Sequence, residues 1–466
     1  MLRLILLSTA LAAGLTSWPT SDSTSEFASG PADKDWTILV YGASDNSSEE
    51  SFVPDMHSLM QGLASPGIEV LGFVDRSPEF SNDAIGLGED FADSRLYRLT
   101  SNGPRRVGGG EHFPEITVDS EYEANSGAVA TLRKALRWAK ATSPAKRYGV
   151  IFYSHGGGWS WCPDDTDGGD QLYPAELTVG LEAQDSLDLM VFDVCLMGGI
   201  ENAYQWRPRE DAFGVDVMLA TPMAGYPFPW GSILENIAAG EIDTADLTAR
   251  EFGRIIVQVT KAHRTRMQDR SGEFAQVTRN EAMACYDLSK AAAVKSAVDQ
   301  LARELASIEG AEEKVRAMRG SGDEIPCLNY MGSTNESSWR HYPYFDLFQL
   351  AGRIGELPSG TEALRKSALI LQDRVDDMVL DSFGMANYDS FGGFEAGVHG
   401  LSIVFPDGDA KDATGRSHWE RFTWFTAKER SQKDGQFGRY DWCADGASAA
   451  VGGVGNWYQL LQSWYE

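Results

Sequence analysis

Two stretches decide the reading of this chain: Tyr148-Gly-Val-Ile-Phe-Tyr-Ser-His-Gly-Gly-Gly-Trp159 and Leu187-Asp-Leu-Met-Val-Phe-Asp-Val-Cys-Leu-Met-Gly198. Each opens as a short apolar run, rich in aromatic and β-branched residues, that reads as a buried strand. The first then breaks into glycines, the second into Cys195 and a glycine. Working outward, Trp36–Tyr41 and Ile68–Asp75 are further strand runs, with a helical stretch over residues 50–64 between them. Strand, helix, strand in this rhythm predicts a βαβ unit and a parallel sheet. Leu96–Leu99 is a weaker strand run, and Val217–Ala220 is a strong one. Val129, Leu132, Leu136 and Ala139 share one helical face. The second half is more helical, with apolar faces at Phe252/Ile255/Ile256/Val259, Val294/Val298/Leu301/Leu305 and Leu364/Ala368/Leu371/Val375/Met378. The fold class expected is α/β, a mostly parallel central sheet with helices on both faces and a more helical C-terminal half.

In open parallel sheets ligands bind beyond the carboxyl ends of the strands. That rule puts His155 and Cys195 at one sheet edge, where an imidazole can serve as general base and a thiolate as nucleophile. The glycines after His155 let backbone approach a substrate closely. The amides of Gly156 and Cys195 are the candidate oxyanion-hole donors. Taken singly, His155 also reads as a turn histidine and Cys195 as a small buried apolar residue. Their shared position at two strand ends favours the catalytic pair.

The two stretches resemble the clostripain family of cysteine peptidases, whose fold is caspase-like. The residues that carry the resemblance are His155-Gly156, Asp193-Val194-Cys195-Leu196-Met197-Gly198 and Glu201. Trp36 to Asn46 is similar to the family's opening strand with its Asp-Asn turn. Tyr344–Phe348 and Gly400–Pro406 are similar to later family segments. The resemblance spans about residues 36 to 406 and implies an endopeptidase with Cys195 as nucleophile and His155 as general acid and base, with no required third member. It also implies that Asp193 lies near the specificity pocket; read from the residues alone, Asp193 could equally cap the following helix. Family members that cleave after Arg or Lys carry another carboxylate in the loop after the next strand. Here that loop, Ala220-Thr-Pro-Met-Ala-Gly-Tyr-Pro-Phe-Pro-Trp230, holds none. Met223 and Tyr226 point instead to an apolar or altered pocket, so a strict Arg/Lys preference is not expected. Between Tyr148 and Trp206 there is no Lys or Arg, so no self-cleavage at a basic residue is expected in that interval.

The 466 residues carry 40 Lys and Arg against 68 Asp and Glu, a net charge of −28. That balance argues against nucleic acid and anionic membranes as partners, because both need clustered cations. Protein or peptide substrates remain; no oligomeric state is assigned. Arg3 followed by the apolar run Leu4–Leu15 reads as a secretory signal peptide over residues 1–17. A flexible linker is expected over 18–34, a peptidase domain over 35–410 and a Trp-rich extension over 411–466 whose tryptophans pack. The expected location is secreted or periplasmic, with no membrane contact after signal removal. Five cysteines, with no Cys-x-x-Cys, leave at least one thiol unpaired. No metal or other cofactor is expected. The acidic loop Asp164–Asp170 lacks the spacing of an EF-hand. It reads as a solvated surface loop, with calcium binding as the alternative. A serine esterase is excluded because no Gly-x-Ser-x-Gly follows the His-Gly-Gly-Gly run, and a zinc hydrolase because no His-x-x-x-His occurs. The non-enzymic alternative is a catalytically silent exported binding protein on the same core.

Overall fold

A computed structural model describes residues 34–240, 242–268, 281–319, 327–330, 342–385, 394–406, 431–432, 435–436 and 440–465. The expected signal peptide, all but the last residue of the expected linker, and Trp419 and Trp424 lie outside the described residues. The chain forms two compact units. One comprises the residues up to His155 together with Cys162–Gln171 and Pro227–Leu247. The other comprises Gly156–Trp161, Leu172–Tyr226 and the residues from Thr248 onward.

In the first unit, β1 (Lys34–Ser44) is followed by α1 (Glu49–Gln61) and β2 (Ile68–Arg76), the expected βαβ unit. β1 pairs in parallel with β2, and on its other side in parallel with β5 (Ala145–Tyr153). β3 (Ser94–Thr100) instead runs antiparallel to β2, and β4 (Gly103–Val107) antiparallel to β3. The sequence rhythm predicted continued parallel pairing. The reversal has a simple cause: residues 77–93 form no helix, so nothing carries the chain back across the sheet face. The helix predicted over Val129–Ala139 is α2 (Val129–Thr142), which packs on β1. β1 and β2 are apolar and buried almost throughout, as strands covered on both faces must be. Tyr41 and Phe73 stack with ring centroids 4.8 Å apart across that pair.

β6 (Trp161–Asp164) and β7 (Asp170–Leu172) are short strands of the acidic loop, followed by α3 (Pro174–Gly180). In the second unit β8 (Leu187–Asp193) pairs in parallel with β9 (Val215–Ala220), and α4 (Ile200–Gln205) lies between them in sequence. β10 (Ala282–Asp287) is antiparallel to β9, and a later strand, Val379–Gly384, is antiparallel to β10. The three helical faces predicted for the second half are the helices Ala249–Gln268, Ala291–Ala306 and Glu362–Met378. Tyr344–Asp346 and Ser402–Val404 form a small antiparallel pair. Among the C-terminal tryptophans, Trp442 and Trp457 are buried. Trp442 sits edge-on to Tyr204 with Lys295 over its ring, and Trp457 Nε1 donates to Val404 O at 3.2 Å. They pack, as the sequence predicted.

In the first unit α1 meets α5 (Trp230–Ala239) where two glycines face each other. A Cβ on Gly62 would lie 2.3 Å from Gly231 O. Backbone cannot yield as a side-chain tip can, so Gly62→Ala is expected to cost about 1–3 kcal/mol by forcing the helices apart. Urea unfolding measures it; a loss below about 0.5 kcal/mol would show that the approach is not tight.

Candidate active site

β1 and β5 end together: Gly42 is in register with Tyr153, so the turn Asp45–Ser48 and His155 emerge at the same edge of their parallel pair. Asn46 ties the two exits. Its Nδ2 lies 3.0 Å from Ala43 O, 3.2 Å from Ser154 Oγ and 2.7 Å from Pro163 O, and its Oδ1 accepts from the Ser48 amide at 3.0 Å. Next to it, Ser47 Oγ shares a hydrogen bond of 2.8 Å with His155 Nε2. Burial holds the His155 imidazole below its ordinary pKa, and the nearby Asp165 charge opposes that only in part. The resting ring is therefore neutral near pH 7.

Cys195 follows β8 in the second unit. The chain turns there with Leu196 at φ +70°, a left-handed backbone that a branched side chain rarely adopts. Hydrogen bonds hold that turn: Leu196 N–H donates to Met223 O (2.9 Å), Gly198 N–H to Thr221 O (3.2 Å), and Thr221 Oγ1 to Val194 O (3.1 Å). All five cysteines are free thiols, and Cys195 alone is not buried. Its thiol lies 3.9 Å from Gly225 O. Burial of the sulfur raises its pKa and the Gly225 contact lowers it, while the Asp193 and Glu281 charges add to the rise.

The glycine loop belongs to the same unit as Cys195. A Cβ on Gly156 would lie 2.3 Å from Cys195 O and 3.2 Å from Cys195 N, so only glycine fits there. Neither the Gly156 nor the Cys195 amide donates to an acceptor among the described residues, whereas the Gly157 amide is committed to Ser160 O at 2.9 Å. Two residues that sequence reading missed hold the loop. Asn202 Nδ2 donates to Gly158 O (2.9 Å) and Met197 O (3.2 Å), and Tyr344 Oη donates to Gly157 O (2.7 Å). Gly158 has φ +87°, and a Cβ there would lie 2.1 Å from Tyr344 Oη.

The expected pocket residues divide. Asp193 is almost wholly buried at the end of β8. Met223 packs in a core cluster with Ala282, Leu328 and Tyr330, its sulfur 3.1 Å from the Ala282 amide. Tyr226 is more open, and its peptide is held from both sides. Arg264 Nη2 donates to Tyr226 O at 3.2 Å, and the Tyr226 N–H favours the charged form of Glu281. Arg264 and Glu281 are themselves a buried ion pair at 2.7 Å. The loop after β9 thus lacks an acid of its own, as the sequence showed. A carboxylate reaches it from the residue before β10, already neutralised by Arg264. No local signal marks this pair, because the loop it acts on lies 38 or more positions away in sequence.

In the acidic loop Asp165, Thr166, Gly168 and Gly169 are exposed, as expected of a surface loop, and Asp164 is the exception. Asp164 is buried, and its Oδ2 accepts from the Ser126 amide at 2.8 Å. Ligand oxygens of Asp45, Glu123 and Asp164 lie within 4.8 Å of one another. Burial and mutual repulsion push Asp164 up to about 6 and Glu123 up to about 7.

The pattern of the Clostripain family matches residues 40–462. The chain belongs to the clostripain family. The chain is 32% identical to clostripain of Hathewaya histolytica over 470 residues, covering 92% of this chain and 87% of the relative. Among solved structures it is similar to a secreted C11 cysteine protease from Bacteroides thetaiotaomicron, in complex with an irreversible peptide inhibitor. There the TM-score is 0.55 and the identity 17%, over 82% of this chain and 95% of that one. It is similar also to an inactive zymogen C11 protease from Parabacteroides distasonis, with a TM-score of 0.52 and 17% identity over 81% and 94% of the two chains. The fold is caspase-like, as the sequence resemblance implied, and the protein is a cysteine-type endopeptidase acting on peptides or proteins. The silent binding protein gives way to that finding.

Glu201, the family-motif acid on α4, has a structural task. It is fully buried, its Oε1 accepts from the Val404 amide at 2.9 Å, and burial pushes it up to about 8. A folded pKa raised from about 4.5 means that its stabilising effect is complete below pH 4.5 and is lost as pH rises to about 8. Glu201→Gln is expected to gain on the wild type over that window by up to about 1.4 kcal/mol per pH unit, with a constant difference above it. Urea unfolding across pH 4.5–9 tests this; a difference independent of pH would show that Glu201 is ionised in the fold.

Proposed function

We propose that Cys195 and His155 form the catalytic dyad of this peptidase and that it works through a thioester acyl-enzyme. The observation that carries the reading is the contact of Gly156 with Cys195. The residue joined to His155 by a peptide bond lies backbone to backbone against the one cysteine that is only partly buried, and neither amide there has an acceptor among the described residues. Cys195 Sγ attacks the peptide carbonyl and gives its proton to His155. The amides of Gly156 and Cys195 hold the tetrahedral oxyanion. His155 then protonates the leaving amine, and water attacks the thioester with His155 as base. Because burial disfavours both thiolate and imidazolium, the resting pair is thiol and neutral imidazole. The sulfur becomes a strong nucleophile only as its proton leaves.

This mechanism draws on no metal. Should a cation bind, Asp45, Glu123 and Asp164 are the residues to hold it; their oxygen-only donors, with Asp45 Oδ1 buried and unpartnered, suit calcium. Export follows from the apolar run after Arg3, and no helix among the described residues is long and apolar enough to cross a membrane.

Iodoacetamide is expected to label Cys195 well before Cys162, Cys285, Cys327 and Cys443. Cys195→Ala should abolish peptide hydrolysis, and His155→Ala should lower kcat by roughly 10²–10⁴-fold and slow the labelling. Equal, slow labelling of all five thiols would overturn the dyad.

Side-chain preference is expected not to be confined to Arg or Lys, because the Glu281 carboxylate beside the pocket loop is already paired with Arg264. Digestion of a mixed peptide library should yield cuts after neutral residues; cuts only after Arg or Lys would refute this.

A further inference from the structure

We infer that Ser47 is a positioning residue for the reaction, holding the His155 ring through Nε2 so that Nδ1 is the nitrogen that exchanges protons with Cys195 and the leaving group. The inference rests on the dyad proposed above and adds a third member to it.

Ser47 Oγ, at 2.8 Å, is the sole hydrogen-bond partner of the His155 ring among the described residues, and Nδ1 has none. The hydroxyl makes no other hydrogen bond there. Its own position is not left to a flexible loop. On one side Asn46 fastens the turn to Ala43 O, Ser154 Oγ and Pro163 O. On the other, α1 begins at Glu49, with the Phe52 amide bonded to Ser48 O at 3.0 Å. The Asp165 amide also donates to Asp45 O at 2.9 Å. Turn and histidine thus share one network at the ends of β1 and β5.

A hydroxyl suits this task in a way a carboxylate would not. In the proposed tautomer it accepts from Nε2–H, in the neutral ring and in the imidazolium alike, and it does so without favouring the charged form. In the proposed cycle the thiol proton passes from Sγ to Nδ1. Nε2–H stays on Ser47 Oγ throughout. The Nδ1 proton is then delivered to the amine nitrogen as the C–N bond breaks. Among the described residues the one charged group acting on the ring is Asp165, whose carboxylate favours the imidazolium.

The test uses the full chain with Ser47→Ala, Ser47→Thr, His155→Ala and the Ser47→Ala/His155→Ala double variant. Each is checked by thermal melting and assayed for peptide hydrolysis from pH 5 to 9. Ser47→Ala is expected to lower kcat roughly ten-fold or more, as loss of an orienting partner does, with little change in KM. Ser47→Thr, which keeps the hydroxyl, should restore most of it. The double variant should be no slower than His155→Ala alone. In ¹⁵N-labelled protein, the histidine assigned by its absence in His155→Ala should show a protonated Nε2 in the wild type and a mixture of tautomers in Ser47→Ala. The inference is overturned if Ser47→Ala, folded, keeps wild-type kcat and tautomer, or if it slows the His155→Ala enzyme as much as the wild type. If His155→Ala itself retains full activity, it is the dyad that fails.

Discussion

The structure depends on a backbone contact that permits no side chain. Gly156 lies so close to Cys195 that even a methyl group would overlap the Cys195 carbonyl oxygen. Neither the Gly156 nor the Cys195 N–H is tied to an acceptor among the described residues. Fixed dipoles with no partner are costly in a folded protein, and they persist here because the surroundings leave the backbone little choice. Asn202 and Tyr344 hold the glycine loop by its carbonyls, while Thr221 and Met223 hold the chain on either side of Cys195. The backbone on both sides of the contact is thus held by hydrogen bonds of its own.

The charges around the sulfur follow from the same architecture. Asp193 sits two residues before Cys195 on the strand, and Glu281 approaches from the segment before β10; both oppose ionisation of the thiol. A permanently ionised thiolate would need a cation beside it. Arg264, a buried cation of this unit, is instead bonded to Glu281 and to the Tyr226 carbonyl. Burial and these two charges therefore all favour the neutral thiol, and burial likewise favours the neutral imidazole of His155.

How far the sequence could be read depended on the range of each interaction. The strands β1, β2, β5, β8 and β9 were legible because burial on both faces writes itself as an uninterrupted apolar run. The positions of His155, Gly156 and Cys195 just past the ends of β5 and β8 were legible because strand and following turn are adjacent in the chain. The antiparallel turn to β3 was missed, since only the absence of a helix between residues 77 and 93 marks it. Asn202, Tyr344, Arg264 and Glu281 were missed for another reason. Each acts on a segment from 38 to 187 positions away, and nothing beside them in the chain records the partner. Met223, read as a pocket residue from its loop, packs in a core cluster because Leu328 and Tyr330 come in from a distant segment.

The buried Arg264–Glu281 pair shows why local composition misleads about a pocket. Removing two charges from water is expensive, and their attraction offsets the cost only when further hydrogen bonds complete the geometry. Here Arg264 donates to the C=O of Tyr226 and the Tyr226 N–H favours the charge on Glu281, so the pair helps to hold the loop that faces Cys195. An acid used this way cannot also serve as a free counter-ion for a basic side chain. Counting carboxylates near the site would assign it the wrong electrostatic character; what matters is which of them still lacks a partner once the backbone has been satisfied.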